Sequence, residues 1–368
     1  MARRRKHQRG YIFKRGKHGK KVWVARWREG VILEDGTRGS LHRSLVLGPV
    51  KEVASLTEAK TRLDERLRLL NQGLQQPQST KRFCNFVQSE WTSLLLPTLK
   101  LSTQRGYRMV VRKHLLPYFG DSRLCDISKP DIQHFVLEKF RHRLAWQTVR
   151  NAWIVLSSIL EAAVDHDYLA ANPARGVKFP PQAPKRKLDN LLSVEAFTSL
   201  LAHLSEPFKT MVVLAALTGF RIGELLALRW RVVNLDTGTL EVSESVFQGH
   251  FQKPKSEKSI RIVPIGPVVR SLLENHFRRS VLVSPEDLLF PNRQGGPYWE
   301  SNLLERVLRP AGEAAGIGRV TWHQFRHFHS SLLHDLGVPG KVVQQQLGHA
   351  SVETTLNTYT HVLPATHR

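Results

Sequence analysis

Cysteine is scarce in this chain: only Cys84 and Cys125 occur in 368 residues, far apart and in no metal-ligand spacing. Two isolated cysteines do not make a disulfide framework or a cysteine-based zinc site, so we expect both to be reduced. Long hydrophobic runs are also missing, since no stretch approaches the ~18–20 consecutive apolar residues of a membrane span. The basic N-terminal residues lack the apolar segment of a secretory signal. These absences predict a cytoplasmic protein with no membrane partner.

Acidic residues are few relative to basic ones. The chain has 55 Lys and Arg against 31 Asp and Glu, a formal charge of +24 that is spread along its whole length. Because double-stranded DNA carries about one negative charge per ~1.7 Å of its axis, this excess favours a nucleic-acid partner. An anionic membrane surface is an alternative, but the basic helices lack the broad apolar face that it needs. Simple solubility is the other alternative.

The chain divides into three segments by composition and periodicity. Residues 1–73 have twelve Lys or Arg among the first 28, in short β-patterned runs, and end in a helical pattern. Residues 82–175, after the polar linker QGLQQPQSTKR, have helical periodicity throughout. Residues 188–368 combine helices with the alternating strands TLEVSESVF and SIRIVPIG. We therefore predict a multidomain, mainly α fold: a small N-terminal module of three strands plus a helix, an all-α domain, and a mixed α+β domain that is mostly helical.

Several basic residues on the regular elements of the first two segments are candidate DNA contacts. A solvated surface is the simpler interpretation of such charges, but a net charge of +24 favours contact with DNA phosphates. The candidates are Lys14, Arg15, Arg105, Arg108, Arg112 and Lys113.

The motif TGFRIGELLALRW has Arg221 and Glu224 three residues apart in a helical pattern that follows a break at Gly219. Residues at that spacing share a helix face. An arginine fork matches two phosphate oxygens, and a carboxylate behind it holds the fork in place. A surface salt bridge is the alternative, but the apolar flanking residues favour a buried pair.

Further phosphate-binding candidates follow in QKPKSEKSIRIVPI and TWHQFRHFHSSLLHDLG. A loop lysine can donate a proton to a leaving oxygen, and the sequence alone does not separate Lys253, Lys255 and Lys258. In the second motif His323 and Arg326 share a helix face. Its histidines also suggest a metal, but HExxH is absent and no carboxylate has ligand spacing, so we predict no metal site.

The C-terminal sequence VVQQQLGHASVETTLNTY has His349 at a turn, and Tyr359 lies about two helical turns beyond a cap at Ser351. The order Arg…Lys…His-x-x-Arg…Gly-His…Tyr closely resembles the motif set of the tyrosine recombinases, or phage-type integrases. The resemblance is most specific over residues 188–368. More loosely, residues 82–175 resemble the core-site DNA-binding domain of that family. Residues 10–73 resemble the arm-site-binding module of lambda-type and conjugative-transposon integrases.

The resemblance implies a site-specific DNA recombinase that integrates or excises a phage or mobile element through a 3′-phosphotyrosyl intermediate. It implies Tyr359 as the nucleophile, Lys255 as the general acid, and Glu224 as the residue that orients the first arginine. The phosphate ligands would be Arg221, His323, Arg326 and His349. No cofactor is expected, because the covalent link conserves the energy of the broken bond. The implied partners are double-stranded DNA at core and arm sites, a homotetramer on paired sites, and DNA-bending and directionality proteins, with the protein nucleoid-associated when DNA-bound.

Two alternatives remain open. A resolvase-type tyrosine recombinase shares the chemistry but usually lacks the N-terminal module. A non-catalytic DNA-binding relic of an integrase need not keep all six catalytic positions filled, as this chain does. The sequence HQFRHFHSSLL also has Phe328 and His329 where the family more often has a small or hydroxyl residue, which predicts altered packing beside intact polar residues.

Overall fold

The computed structural model describes residues 9–17, 20–35, 37–71, 78–182, 192–252 and 260–348. The chain separates into two units, Met1–Ala183 and Pro184–Arg368. The first unit contains the predicted N-terminal module and the predicted helical domain. Their division into two domains stays a prediction.

An antiparallel sheet and one helix begin the first unit. The strands β1 (Tyr11–Arg15), β2 (Val22–Ile32) and β3 (Arg38–Pro49) lie side by side in chain order, and α1 (Leu56–Asn71) follows. Side chains alternate between the two faces of a strand, so Trp23 and Ala25 of β2 lie on one face. There they pack against Leu63 and Leu67 of α1 in a small apolar core. The predicted three strands plus helix are confirmed.

The predicted linker contributes a short fourth strand. β4 (Gln78–Ser79) pairs in parallel with the end of β2. On β3, Arg43 forms an ion pair with Glu29 at 2.9 Å and a second ion pair with Asp126, which belongs to the helical part of the unit. The sheet is therefore attached to the helices that follow it.

The rest of the first unit is helical, as predicted. Its elements are α2 (Phe83–Phe86), a π-helical segment (Val87–Leu95), a 3₁₀ turn (Leu96–Thr98), α3 (Leu101–Val110), a second π-helical segment (Val111–Leu115), α4 (Leu116–Phe119), a 3₁₀ turn (Leu124–Asp126), α5 (Lys129–Arg141) and α6 (Trp146–Asp165). α5 begins at Lys129, because Ser128 and Asp131 form a capping box at its first turn. The fully buried Phe83, Phe119 and Phe135 lie in the core that these helices share.

The second unit combines helices with small antiparallel sheets. Its helical elements are α7 (Val194–Ala202), α8 (Phe208–Thr218), α9 (Ile222–Leu225), a 3₁₀ turn (Trp230–Val232), α10 (Pro267–Arg279), α11 (Glu300–Leu303), a π-helical segment (Leu304–Leu308), α12 (Arg309–Ala314), α13 (Trp322–Asp335) and α14 (Gly340–Leu347). The strands β5 (Val233–Asn234), β6 (Thr239–Val242) and β9 (Arg261–Pro264) form one sheet, and β7 (Ser245–Phe247) pairs with β8 (His250–Gln252).

The predicted strand TLEVSESVF is thus two strands, β6 and β7, in two different sheets. α8 is apolar on nearly all sides and lies in the middle of the core, where it contacts α10 and α13. This central helix ends directly at the predicted site.

Candidate active site

Gly219 ends α8 in the left-handed conformation, with φ of +66°. A Cβ atom at this position would lie 2.6 Å from Cδ2 of Leu347 and 2.7 Å from Cδ2 of His329, closer than real Cβ contacts. Both the backbone angle and the lack of space therefore require glycine. The chain turns here and reaches Arg221 at the start of α9.

Arg221 and Glu224 form the predicted ion pair, but the expected burial of both residues is wrong, because only Glu224 is buried. The Arg221 Nη1 atom donates to Glu224 Oε1 at 2.8 Å, and the Arg221 backbone N–H donates to Glu224 Oε2 at 3.0 Å. The Arg221 side chain is 44% exposed, whereas that of Glu224 is 8% exposed. The carboxylate thus lies behind the guanidinium and fixes its direction, while the guanidinium itself stays accessible.

Arg326 is buried on α13, with 3% of its surface exposed. Its Nη1 donates to the Gly219 carbonyl at 2.8 Å, and its Nη2 donates to the Leu347 carbonyl at 2.5 Å. These carbonyls belong to the C-terminal ends of α8 and α14, which carry partial negative charge. Burial and the positive charge of Arg221 lower the pKa of Arg326 to about 9. Within the described ranges no carboxylate forms an ion pair with Arg326, so an anion would relieve this buried charge.

A third arginine, Arg261, belongs to the same cluster and was missed by the sequence interpretation. Its Nη2 and Nη1 atoms donate to Glu224 Oε2 at 2.8 Å and Oε1 at 3.3 Å. Its Nε donates to the Gln346 carbonyl at 2.7 Å. Burial would raise the pKa of Glu224, but the hydrogen bond and charge of Arg261, together with Arg221, hold it below its usual range. The alternation in SIRIVPI contained a signal, because Arg261 shares a strand face with the buried Val263.

His323 lies one turn before Arg326 on α13, and its ring centroid is 4.5 Å from that of His327. Its partly enclosed position, followed by the positive charges of Arg326 and Arg221, lowers the pKa of His323. The imidazole is therefore neutral near pH 7 and can act as donor or acceptor. His329, on the buried side of the same helix, packs against Gly219.

The remaining predicted catalytic residues, Lys255, His349 and Tyr359, lie outside the described residues, as do Lys253 and Lys258. The described chain ends at Gly348, whose carbonyl accepts from Arg221 Nη2 at 3.5 Å. The structure therefore brings together Arg221, Glu224, His323 and Arg326.

The predicted DNA-contacting residues of the first unit are all exposed. On α3 and the π-helical segment after it, these are Arg105, Arg108, Arg112 and Lys113. On β1, Arg15 pairs with Val22 and lies on the sheet face opposite α1, whereas Lys14 pairs with Trp23 on the face toward α1.

The face opposite α1 also carries residues that were missed. Arg26 and Arg28 are exposed on β2, with Tyr11 and His42 at their cross-strand positions. Their alternation with Trp23 and Ala25 was the available signal, but it does not tell which face a helix covers. The structure thus adds an arginine-rich, partly aromatic sheet surface to the candidate nucleic-acid contacts.

Within the part of the chain that the structure describes, no group of three His, Cys, Asp or Glu residues could hold a metal ion. No described helix is both long and apolar enough to span a membrane. What the site does offer is a cluster of three arginines at the ends of two helices. Arginine side chains are suited to bind anions such as phosphodiesters.

Comparisons with known proteins identify the family to which the chain belongs. Residues 190–366 match the model of the phage integrase family, and residues 86–140 match the N-terminal SAM-like domain of phage integrases. The two matched stretches together cover more than half of the chain. The chain therefore belongs to the phage integrase family, the tyrosine recombinases, and it is a site-specific recombinase that cuts and rejoins DNA.

Individual relatives are similar in sequence, and solved structures are similar in fold. The ICEBs1 integrase of Bacillus subtilis is 28% identical over 288 residues, which cover 74% of this chain and 78% of that protein. A XerC-like tyrosine recombinase of Caldanaerobacter subterraneus subsp. tengcongensis is 27% identical over 306 residues, covering 73% and 78%. The fold is similar to that of a lambda integrase dimer bound to a COC′ core site, with a TM-score of 0.60, 15% identity, and coverage of 100% of this chain and 99% of that one.

Proposed function

We propose that this recombinase uses Tyr359 to attack a scissile phosphodiester, forming a 3′-phosphotyrosyl link and releasing a 5′-hydroxyl. The tyrosine oxygen bonds to phosphorus as the bond to the 5′ oxygen breaks. The reaction integrates or excises a phage or other mobile element. Rejoining is the reverse attack by a 5′-hydroxyl, so the energy of the broken bond is retained and neither ATP nor another cofactor is needed.

The observation that carries this proposal is the pair Arg221 and Arg326. Phosphoryl transfer depends mainly on positioning and on neutralising charge at the non-bridging oxygens. Arg326 is a buried cation whose hydrogen bonds within the described residues go to two backbone carbonyls and to no carboxylate. Arg221 presents an accessible guanidinium held by Glu224. Two fixed positive charges in this arrangement supply what a metal ion supplies in other phosphoryl-transfer enzymes.

The other assignments rest on chemistry and on position in the chain. His323, neutral near pH 7, donates a hydrogen bond to the phosphate or takes the proton of Tyr359. His349 is covalently the next residue after Gly348, and Gly348 contacts Arg221. Lys255 is assigned as the general acid for the 5′ oxygen. It belongs to the segment that immediately precedes Arg261, with Lys253 and Lys258 as alternatives.

Two surfaces of the first unit fit DNA binding. The exposed basic residues of α3 fit core-site binding through phosphates. The sheet face with Arg15, Arg26 and Arg28 fits arm-site binding, because the major groove of DNA admits β-structure as well as a helix.

Strand exchange joins two DNA duplexes, which needs a homotetramer on paired sites. DNA-bending and directionality proteins are further proposed partners. A cytoplasmic, nucleoid-associated location follows from binding chromosomal DNA.

The first test uses a nicked suicide duplex that carries the DNA flanking the gene. The duplex is incubated with the wild type in EDTA, and denaturing gels reveal a covalent protein–DNA adduct. Tyr359→Phe should bind this duplex with unchanged affinity and form no adduct. Tyr298→Phe is the matched control, because Tyr298 and Tyr359 are the only tyrosines in residues 184–368.

An adduct from the wild type and from Tyr298→Phe, but not from Tyr359→Phe, supports the proposal. An adduct from Tyr359→Phe shows that the nucleophile is misassigned. Tight binding of this duplex without any adduct favours the non-catalytic relic.

A further inference from the structure

Arg261 connects three parts of the active site. It is the first residue of β9, and its side chain is only 7% exposed. Two of its nitrogens form a fork on the Glu224 carboxylate, at 2.8 and 3.3 Å. Its third nitrogen, Nε, points to a different element and donates to the Gln346 carbonyl in the last turn of α14 at 2.7 Å. All three nitrogens of one planar group thus donate hydrogen bonds to neighbouring elements.

Each of these contacts lies directly behind a proposed phosphate ligand. The Glu224 carboxylate that receives the Arg261 fork also receives Arg221 Nη1. The Gln346 carbonyl precedes that of Leu347, to which Arg326 donates. A shift of Arg261 would therefore move the supports of both Arg221 and Arg326.

Stability alone is a poor explanation for this arrangement. A buried ion pair loses much of its attraction to the cost of removing two charges from water, and an apolar pair often stabilises as well. The arrangement does fix the orientation of the Glu224 carboxylate. The planar guanidinium fixes the carboxylate plane in a way that a point charge cannot.

We propose that Arg261 is a positioning residue for DNA cleavage, which sets the direction of Arg221 through Glu224 and fixes the end of α14 beside Arg326. It does not contact the DNA itself. This inference rests on the proposed function, since it concerns the geometry of the same phosphate site.

The test measures adduct formation with the nicked duplex in saturating excess over the full chain, so that each active molecule reacts once. The rate constant reports the geometry of each active molecule, and the amplitude reports the fraction of molecules that are folded and active. We expect Arg261→Gln to lower the rate constant about 10²-fold, with full amplitude and little change in DNA affinity. Arg261→Lys should be intermediate, because a lysine keeps the charge beside Glu224 but loses the fork.

Arg270→Gln is the matched control. Arg270 also pairs with a glutamate, Glu274, at 3.4 Å, but this pair is exposed on α10. Its rate constant should equal that of the wild type. A second comparison uses the double variant Arg261→Gln/Glu224→Gln. If Arg261 acts through Glu224, the double variant should be little slower than the slower single variant.

The outcomes separate this inference from the proposed function. If the wild type forms no adduct, the proposed function is wrong and this inference is wrong with it. If the wild type forms the adduct and Arg261→Gln reacts equally fast, only the role of Arg261 is wrong. A reduced amplitude with an unchanged rate constant would show a purely structural role and overturn the inference, as would multiplicative rate losses in the double variant. Should Arg261→Gln fail to fold, a wild-type rate for Arg261→Lys overturns it equally.

Discussion

The guanidinium of Arg326 donates to the carbonyl of Gly219 at 2.8 Å, although 107 residues separate them in the chain. Gly219 can offer this carbonyl because it adopts a left-handed conformation between Leu347 and His329. Gly219 thus ends the central helix α8, and its carbonyl accepts a hydrogen bond from the buried Arg326. Arg221 follows two residues later in the chain. The site depends on the packing of α8, α13 and α14 as much as on its charged side chains.

Replacing Gly219 with alanine should destabilise the second unit. The added Cβ meets Leu347 and His329 at under 3 Å and also imposes strain at φ of +66°. We expect the free energy of unfolding to fall by about 3 kcal/mol, from strain and overpacking together. Urea unfolding followed by tryptophan fluorescence measures it.

The matched control for this substitution is Gly337→Ala. Gly337 has a similar φ of +72° but nothing within 4 Å of the added Cβ. This substitution should lower the free energy of unfolding by only about 1 kcal/mol, because it adds backbone strain without overpacking. Equal losses in the two variants would show that close packing at Gly219 is unimportant.

Arg326→Lys should cleave DNA slowly while binding it normally. A lysine keeps one positive charge but cannot donate to the Gly219 and Leu347 carbonyls in the fixed directions of a guanidinium. We expect the cleavage rate constant to fall about 10²–10³-fold, the loss typical of removing one preorganised donor. Single-turnover adduct formation measures it, and Arg278→Lys on the exposed side of α10 is the control. A wild-type rate for Arg326→Lys would remove Arg326 from the site.

The stability of the second unit should decrease as the pH falls below about 6.5. Burial lowers the pKa of His329 from 6.5 to about 4, with the positive charge of Arg326 acting in the same direction. The unfolded state therefore binds a proton at a pH where the folded state does not. The neutral histidine allows full stability above pH 6.5, and this stability is lost as the pH approaches 4.

His329→Gln removes this titration and should flatten the pH dependence. Between pH 7.5 and pH 5, we expect the wild type to lose about 2 kcal/mol more than the variant. Urea unfolding at the two pH values measures the difference, and His327, whose pKa is also lowered to about 4, contributes equally to both proteins. If the free energy of unfolding changes equally with pH in the wild type and in His329→Gln, His329 is not the group responsible.

Arg26→Gln and Arg28→Gln should each weaken DNA binding and its dependence on salt. Both arginines lie on the sheet face opposite α1. If each neutralises one phosphate, the slope of log K against log salt should decrease in magnitude by about 1 per substitution. Arg66→Gln, an exposed position on α1, is the control and should keep the wild-type slope. An unchanged slope in all three variants would exclude this face as a DNA contact.

Much of the fold could be predicted because its signals are local. The left-handed glycine after α8 and the serine caps of α5 and α7 end or begin helices through contacts within a few residues. The pairing of Arg221 with Glu224 is equally local, since Glu224 in the first turn of α9 reaches back to the residue that caps the helix. These features needed no knowledge of distant parts of the chain.

Other features depend on contacts between distant residues. The alternation in SIRIVPI shows two faces of a strand, but only the pairing of β9 with β6 decides that Arg261 faces inward toward Glu224. Likewise, alternation in β2 does not tell which face α1 covers, so Arg26 and Arg28 were not distinguished from ordinary surface charges. Pairing of the linker residues Gln78 and Ser79 with β2 is also non-local.

The sequence by itself determined the family of this recombinase, through the order of its arginines, histidines and tyrosine, together with its basic charge and its helical periodicity. The tertiary structure alone decided which cations are buried, which carbonyls balance them, and which third arginine holds the carboxylate between them. The physical reason is that residue type and spacing fix what a side chain can do. Burial and hydrogen bonding between distant elements, such as α8, β9, α13 and α14, fix where it points and how it is charged.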